Sequence, residues 1–328
     1  MTEFLKPKVY ASKCLGFCAC WWNGTTIFSD FIEMIKPFVK FVTHCPEVEI
    51  GLGSPRKFIR IVMENGVKRF VQPATDRDLT DIMKEYITTT IESLGVIDGF
   101  ILRENSPSCS IERVKYYHGR DRASSIADTG PGLFAEAILN EYHNYPIESD
   151  GRLRNRKIRE EFLTQIFLLS SLRHVMRSQH IKSLIDFHSE NKYLIMTYGQ
   201  KYVNKLGRIV SNAERKQVEE IMLEYWDTLL PAIADGRKRS STTNVFSKIF
   251  GYFSDSLTRE EKKYFLHRLE EYRTGRVPLS LVRELLRLWM LRFDDEYIRR
   301  QSIFEPYPQE LEELADFGEY KKEQTKRD

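Results

Sequence analysis

No cysteine occurs after Cys109 in a chain of 328 residues; all five, Cys14, Cys18, Cys20, Cys45 and Cys109, lie in the first third. An odd, one-sided set of this kind does not describe a disulfide framework. In a reducing compartment it points to metal binding or thiol chemistry. No run of about 18 apolar residues occurs, so no membrane-spanning helix is expected. The first residues, Met1-Thr-Glu-Phe-Leu-Lys-Pro-Lys, hold no apolar signal core, and a cytoplasmic location is expected. Gly51-Leu-Gly53 and Gly130-Pro-Gly132 are too short for a phosphate-cradling fingerprint and read as turns. The seven histidines are scattered without ligand-like pairing, which argues against a Cys/His zinc finger.

What is present describes an ordinary globular chain, 41% hydrophobic and 30% charged, long enough for two domains. Net charge is only +3 but unevenly spread. Residues 1–150 hold 17 Lys/Arg against 20 Asp/Glu, and residues 151–328 hold 33 against 27. The excess concentrates between Gly151 and Val210, with 12 basic and 4 acidic residues. Such a patch suits a polyanion, although a solvated helix face has the same composition. Arg152, Arg154, Arg156, Lys157 and Arg159, with Arg237, Lys238 and Arg239, are the candidates for contact with a nucleic-acid backbone.

Along the chain, Lys8–Ser12 and Phe38–Thr43 read as short strands, with Ile27–Ile35 at helical spacing between them. The runs Phe58–Val62 and Val67–Val71 flank an Asn65-Gly66 hairpin turn. Asp78 caps a helix over Leu79–Leu94 closed by Gly95, and Val96–Leu102 is a further strand. After a helix over Gly132–Tyr142, Tyr145–Gly151 reads as a domain joint. Beyond it the spacing predicts helices over Arg159–Leu172, Met176–Phe187, Tyr193–Val210 and Ala213–Ile233. A polar linker, Asp235–Thr243, precedes three more, Val245–Phe253, Thr258–Arg273 and Leu279–Phe293. The charged tail after Tyr320 reads as disordered. The expected fold is therefore an α/β N-terminal domain (1–150), an open, mostly parallel, Rossmann-like sheet, followed by an all-α helical domain (151–328).

Three of these strands run out into loops that carry Cys14, Cys45 and Cys109 in turn. In a parallel sheet such loops share one edge, so the three thiols are expected to converge. Glu47 and Glu49 follow Cys45-Pro46 directly. Two metal readings remain open. Structural zinc would draw on Cys14, Cys18 and Cys20, at a spacing poor for a zinc knuckle. A four-iron cluster held by three cysteines would leave one iron free to act as a Lewis acid.

Ser12-Lys-Cys14-Leu, Cys45-Pro-Glu47-Val-Glu-Ile-Gly-Leu-Gly-Ser-Pro-Arg56 and Ser106-Pro-Ser-Cys109 together resemble the thiouracil desulfidase family. From Glu148-Ser-Asp-Gly-Arg-Leu153 onward the chain resembles the YbgA-like helical domain fused to it in a subset of proteins. His188-Ser-Glu-Asn-Lys192, Leu206-Gly-Arg-Ile-Val210, Phe250-Gly-Tyr-Phe253, Tyr272-Arg-Thr-Gly-Arg-Val-Pro-Leu279 and Gln301…Pro306-Tyr-Pro308 carry that likeness. The resemblance implies a 4Fe–4S cluster with one iron not ligated by protein, held by Cys14, Cys45 and Cys109. It implies Glu47 as acid/base and Ser108 as its polar helper. It also implies thiouridine in tRNA (4-thiouridine first) or a thiouracil as substrate, with C=S converted to C=O and sulfide released. Phe17 stands where the family has glycine, Trp21-Trp22 replaces an Arg-Tyr or Arg-Trp pair, and Ser110 stands where glycine is usual. The lost arginine removes one candidate phosphate contact. The competing function class is a non-enzymatic nucleic-acid-binding protein with a structural metal, which would recruit Cys18 or Cys20 as a fourth ligand.

Overall fold

The computed structural model describes residues 4–121, 124–212 and 214–312. The chain runs β1 (Lys8–Ser12), α1 (Asp30–Ile35), β2 (Lys40–His44), β3 (Arg60–Glu64), β4 (Val67–Gln72), β5 (Arg77–Asp78), α2 (Thr80–Ser93), β6 (Gly99–Leu102), β7 (Val114–Tyr117), β8 (Ile126–Gly130), α3 (Leu133–Glu141) and β9 (Ile147–Ser149). Helices follow: α4 (Arg156–Ser178), α5 (Ile181–Tyr198), α6 (Gln200–Ser211), α7 (Val218–Ala234), α8 (Arg239–Phe253), α9 (Arg259–Thr274), α10 (Leu279–Phe293) and α11 (Glu296–Arg299). The order is the expected one, a parallel-sheet α/β region and then helices. The charged tail after Tyr320 lies outside the described residues.

One sheet has the order β2-β1-β6-β9, with every pair parallel. Val9, Tyr10, Ala11, Phe100, Ile101 and Leu102 are all fully buried. Burial on both faces is why β1 and β6 are continuous apolar runs rather than alternating ones. Tyr10, Phe100 and Leu102 pack with Leu94 and Ile97 and with Phe134 and Ile138 of α3. On β6, a Cβ added to Gly99 would lie 2.7 Å from Ile166 Cγ2, so only glycine admits α4 this closely.

The second sheet, β5-β4-β3-β7-β8, is mixed. Its β3–β4 hairpin turns at Asn65 (φ 52°) and Gly66 (φ 77°), the left-handed pair that the Asn-Gly signal anticipates. The β7–β8 hairpin escaped sequence reading because β7 has four residues and β8 is Ile-Ala-Asp-Thr-Gly, mostly polar or small and largely exposed.

The chain divides into two compact units, residues up to Ser170 with those from Glu310 on, and Ser171–Gln309. The division falls inside α4. The first half of α4 stays with the sheet because Phe162 and Ile166 close on Gly99 and the Arg159 guanidinium lies 5.6 Å over the Phe31 ring. In the helical unit, α5 ends at Gly199, where one continuous helix over Tyr193–Val210 was expected. The first turn of α8 takes up half of the expected linker.

Candidate active site

β1 pairs Ser12 with His44 of β2 and Ala11 with Ile101 of β6, so the three strands end level along one edge. The backbone leaving that edge brings Cys14, Cys45 and Cys109 to a single cavity of about 10 Å³, room for about one water. The expected convergence is observed. All three thiols are buried.

After Cys45 the chain closes a tight turn in which the Val48 and Glu49 amides donate to the Cys45 carbonyl, each at 3.0 Å. The turn widens into a π-helical segment over Val48–Leu52 and is released by Gly51 at φ 86°. π-Turns of this kind recur at functional sites. Here the turn returns Glu47 to the cavity, 4% exposed.

Glu47 is the hub. Its Oε1 accepts hydrogen bonds from Ser108 Oγ at 2.6 Å and Ser106 Oγ at 3.3 Å. Its Oε2 lies 3.6 Å from the Arg56 guanidinium and accepts from Cys45 Sγ at 3.5 Å. Arg56 also donates to the carbonyls of Cys20 at 2.9 Å and Gly53 at 3.2 Å. A buried carboxylate with an arginine and two hydroxyls around it is held in one orientation.

The loop carrying Ser106, Ser108 and Cys109 is held by the start of α3. Unsatisfied amides of a helix N-terminus take carbonyls from that loop: Leu133 N donates to Pro107 O at 3.1 Å and Ala135 N to Ser108 O at 2.9 Å. Just before the helix, Gly132 N donates to Ser110 O at 2.8 Å. A Cβ on Gly132 would come within 2.6 Å of Pro107 O and of the Ser108 backbone, so glycine is needed for this approach.

Sequence reading left Cys18 and Cys20 undecided, and the structure separates them. Cys18 is exposed, whereas Cys20 is buried and lines the cavity, its carbonyl accepting from Cys45 Sγ at 3.7 Å. Its thiol is pushed up to about 12, first by Cys14 and then by burial, with Cys45 acting the other way. Cys45 is pushed far above the usual thiol range, first by Cys20, then by burial and by the Glu47 carboxylate. Burial and Glu47 likewise push Cys109 up. So many acids around one space, with Arg56 as their buried counter-charge, make a site that a bound cationic group would relieve.

Among the described residues no three Cys, His, Asp or Glu side chains close on one point as a single ion requires. Thiols facing a common cavity suit a multinuclear group, in which separate thiolates bind separate irons. The thiols of Cys14, Cys20, Cys45 and Cys109 line the cavity and could hold such a group.

Two further contributors were not singled out from sequence. Arg103 lines the cavity, pairs with Asp150 and places its guanidinium 5.3 Å over Trp21. Trp21 thus faces the site, while Trp22 is exposed. Arg56 had a legible cue, its position closing the Gly-Leu-Gly-Ser-Pro turn after Cys45. Arg103 had none.

The candidate nucleic-acid contacts are dispersed. Arg152 pairs with Glu148 at 2.6 Å and Arg156 with Glu160 at 3.1 Å. Arg159 donates to the carbonyls of Leu153 and Arg154. Arg154 and Lys157 are exposed. These five belong to the sheet unit, whereas Arg237, Lys238 and Arg239 belong to the helical one, where Arg239 lies 5.6 Å over Tyr272. His188, in a segment that carries the likeness to the helical domain, bonds Tyr225 Oη at 3.1 Å.

Comparison with known proteins follows the same division. The family model described as 2-thiouracil desulfurase matches residues 9–150, and the one described as a protein of unknown function (DUF1722) matches residues 192–308. The uncharacterized protein YbbK of Bacillus subtilis (strain 168) is 30% identical over 155 residues, 45% of this chain and 98% of that protein. The uncharacterized protein YbgA of Escherichia coli (strain K12) is 24% identical over 149 residues, 44% of this chain and 88% of that protein. Among solved structures, the 4Fe-4S-dependent thiouracil desulfidase TudS is 27% identical, covering 45% of this chain and 93% of that one, with a TM-score of 0.35.

Proposed function

The chain belongs to the 2-thiouracil desulfurase family, and from that premise we propose that it replaces the sulfur of a thiocarbonyl pyrimidine with oxygen, its substrate being thiouridine in tRNA, 4-thiouridine first. The observation that carries this reading is Glu47: a buried carboxylate hydrogen-bonded to Ser108 and Ser106, in one cavity with Cys14, Cys45 and Cys109.

A 4Fe–4S cluster held by those three cysteines, when bound, supplies a Lewis-acidic iron with affinity for a soft thiocarbonyl sulfur. The rest is work for the chain's own residues. Glu47 takes a proton from the water that adds to the ring carbon and returns it to the departing sulfur. A C–O bond forms, a C–S bond breaks, and no electrons are exchanged with the solution. Ser108 and Ser106 fix Glu47 Oε1, and Arg56 balances its charge at Oε2. The burial of the cavity keeps competing water out. The helical domain and the exposed Arg154 and Lys157 are proposed to hold the tRNA backbone.

A second reading is favoured by one observation, the burial of Cys20 among the other thiols. Brought together around one metal, which the described side chains do not do as they stand, four thiolates would serve a non-enzymatic nucleic-acid-binding protein instead. The deciding experiment uses anaerobically purified, reconstituted protein incubated with tRNA containing 4-thiouridine, followed by digestion and mass spectrometry of thiouridine and uridine. Conversion that disappears in Cys45→Ala and Glu47→Ala is the expected result. A protein that holds zinc, binds no iron and converts nothing would sink the enzyme reading.

A further inference from the structure

A second cavity, of about 290 Å³, opens on the mixed sheet, and its lining differs in character from the thiol site. Arg60, Arg113 and Lys115 bring three cations, Phe58 and Tyr117 two aromatic rings, and Asn105 an amide. No acidic residue lines it among the described residues. This concentration runs against its surroundings, since residues 1–150 carry more acid than base.

Arg60 is its fixed element. The guanidinium lies 4.2 Å from the centre of the Tyr117 ring and 5.4 Å from that of Phe58. Arg60 Nη1 donates to Asp121 O at 2.7 Å, while Nε has no hydrogen-bond partner among the described residues. A guanidinium laid against aromatic rings, with two exposed cations beside it, of which Arg113 lies 3.9 Å from Glu112, has the components that bind single-stranded nucleotides. Bases stack on aromatic or guanidinium planes, and phosphates are taken by Arg and Lys. The volume suits a single nucleotide.

The position of this cavity gives it a meaning. Asn105 and Pro107 line it, while Arg103, Ser106 and Cys109 of the same loop line the thiol cavity. The two spaces are therefore divided by a single strand of backbone. Both Asn105 (φ 58°) and Arg113 (φ 62°) hold left-handed conformations, uncommon for residues other than glycine, on either side of that loop.

We propose that the Arg60–Arg113–Lys115 cavity binds a nucleotide flanking the reacting base of the RNA strand. This rests on the desulfidase reading for the identity of the reacting base, but not for the binding itself. It also moves a principal RNA contact from the helical domain to the second sheet.

The test is fluorescence anisotropy of full-length, reconstituted protein with a short fluorescein-labelled oligouridylate lacking sulfur, titrated at several salt concentrations. Arg113→Glu combined with Lys115→Glu, both exposed positions, is compared with Arg237→Glu combined with Lys238→Glu. The first pair should weaken binding at least about tenfold and lower the slope of log K against log salt by about 1.4, two phosphate contacts on a single strand. Far-ultraviolet circular dichroism confirms folding, and the conservative pair Arg113→Lys with Lys115→Arg should restore most of the affinity. The inference is overturned if the wild-type protein does not bind the oligomer, or if only the Arg237/Lys238 variant loses binding. Conversion of thiolated tRNA, measured on the same preparation, fails or succeeds independently, so loss of the desulfidase reading and loss of this cavity's role are told apart.

Discussion

In the helical unit, three buried polar side chains donate to a carbonyl three or four residues back in the chain. Thr197 Oγ1 donates to Leu194 O at 2.6 Å, Asn191 Nδ2 to Phe187 O at 2.8 Å and Thr242 Oγ1 to Lys238 O at 3.1 Å. In the sheet unit, Glu47 instead gathers hydroxyls 59 and 61 residues away, together with an arginine and the thiol of Cys45. Local pairing satisfies a buried group with little else at stake. Distant pairing demands that several elements agree on one point, as where Ser302 Oγ of the helical unit donates to Asn191 Oδ1 at 2.7 Å; around Glu47 it also concentrates acids, each destabilising the charge of the next. That arrangement is expected where chemistry is done, not where helices are merely joined.

The comparison is tested most strongly by paired substitutions. Glu47→Gln should lower conversion of thiolated substrate by about 10²–10⁴-fold, the usual contribution of a general acid/base, with iron content intact. Asn191→Ala should leave conversion unchanged and lower stability by about 1–3 kcal/mol, the cost of leaving a buried partner unsatisfied. Urea denaturation and product analysis on both variants check this, and retained turnover in Glu47→Gln would remove the distinction.

Glycine offers a second pair. Gly132→Ala forces a Cβ to within 2.6 Å of backbone in the Ser108 loop. It should cost about 1–3 kcal/mol and displace Ser108 and Cys109, with a clear loss of turnover. Gly207→Ala, in α6, meets only His188 Nε2 at 3.5 Å and should stabilise by about 0.5–1 kcal/mol through helix propensity. Thermal melts rank the two.

The cysteines provide a finer cut. Cys18→Ala should change nothing, and Cys20→Ala should keep both bound iron and conversion if three thiolates suffice. Loss of all metal in Cys20→Ala, read by iron and zinc analysis, would favour the four-thiolate structural site instead.

The smallest effect belongs to His188, whose ring burial, with Lys192 nearby, holds below the usual histidine range. The unfolded chain protonates this residue near pH ~6.5, whereas the folded chain resists the proton. Its stabilising contribution is therefore complete above that pH and declines as pH falls towards the depressed folded value. His188→Gln should flatten the acid side of the stability profile, measured by denaturation across that range.

Much of the frame was legible without coordinates. The strand leading to each of Cys14, Cys45 and Cys109, the Asn65-Gly66 hairpin and the change from α/β to helix all rest on short-range periodicity and turn chemistry, which neighbouring residues carry between them. The β7–β8 hairpin was not legible, because Ile126-Ala-Asp-Thr-Gly130 has little strand character of its own and is held by pairing with β7. The same holds for α4: its helical period is plain, yet nothing local says that Phe162 and Ile166 cover Gly99.

The site divides in the same way. By itself the sequence determined which residues could ligate or catalyse, since Cys45-Pro-Glu47 and Ser106-Pro-Ser-Cys109 are contiguous. Only the tertiary structure decided that Cys20 joins them and Cys18 does not, that Arg56 balances Glu47, and that Arg103 meets Trp21. Those meetings follow from the strand order β2-β1-β6 and from how each loop leaves the shared edge. Strand order is fixed by packing over the whole sheet, which no short stretch of sequence contains.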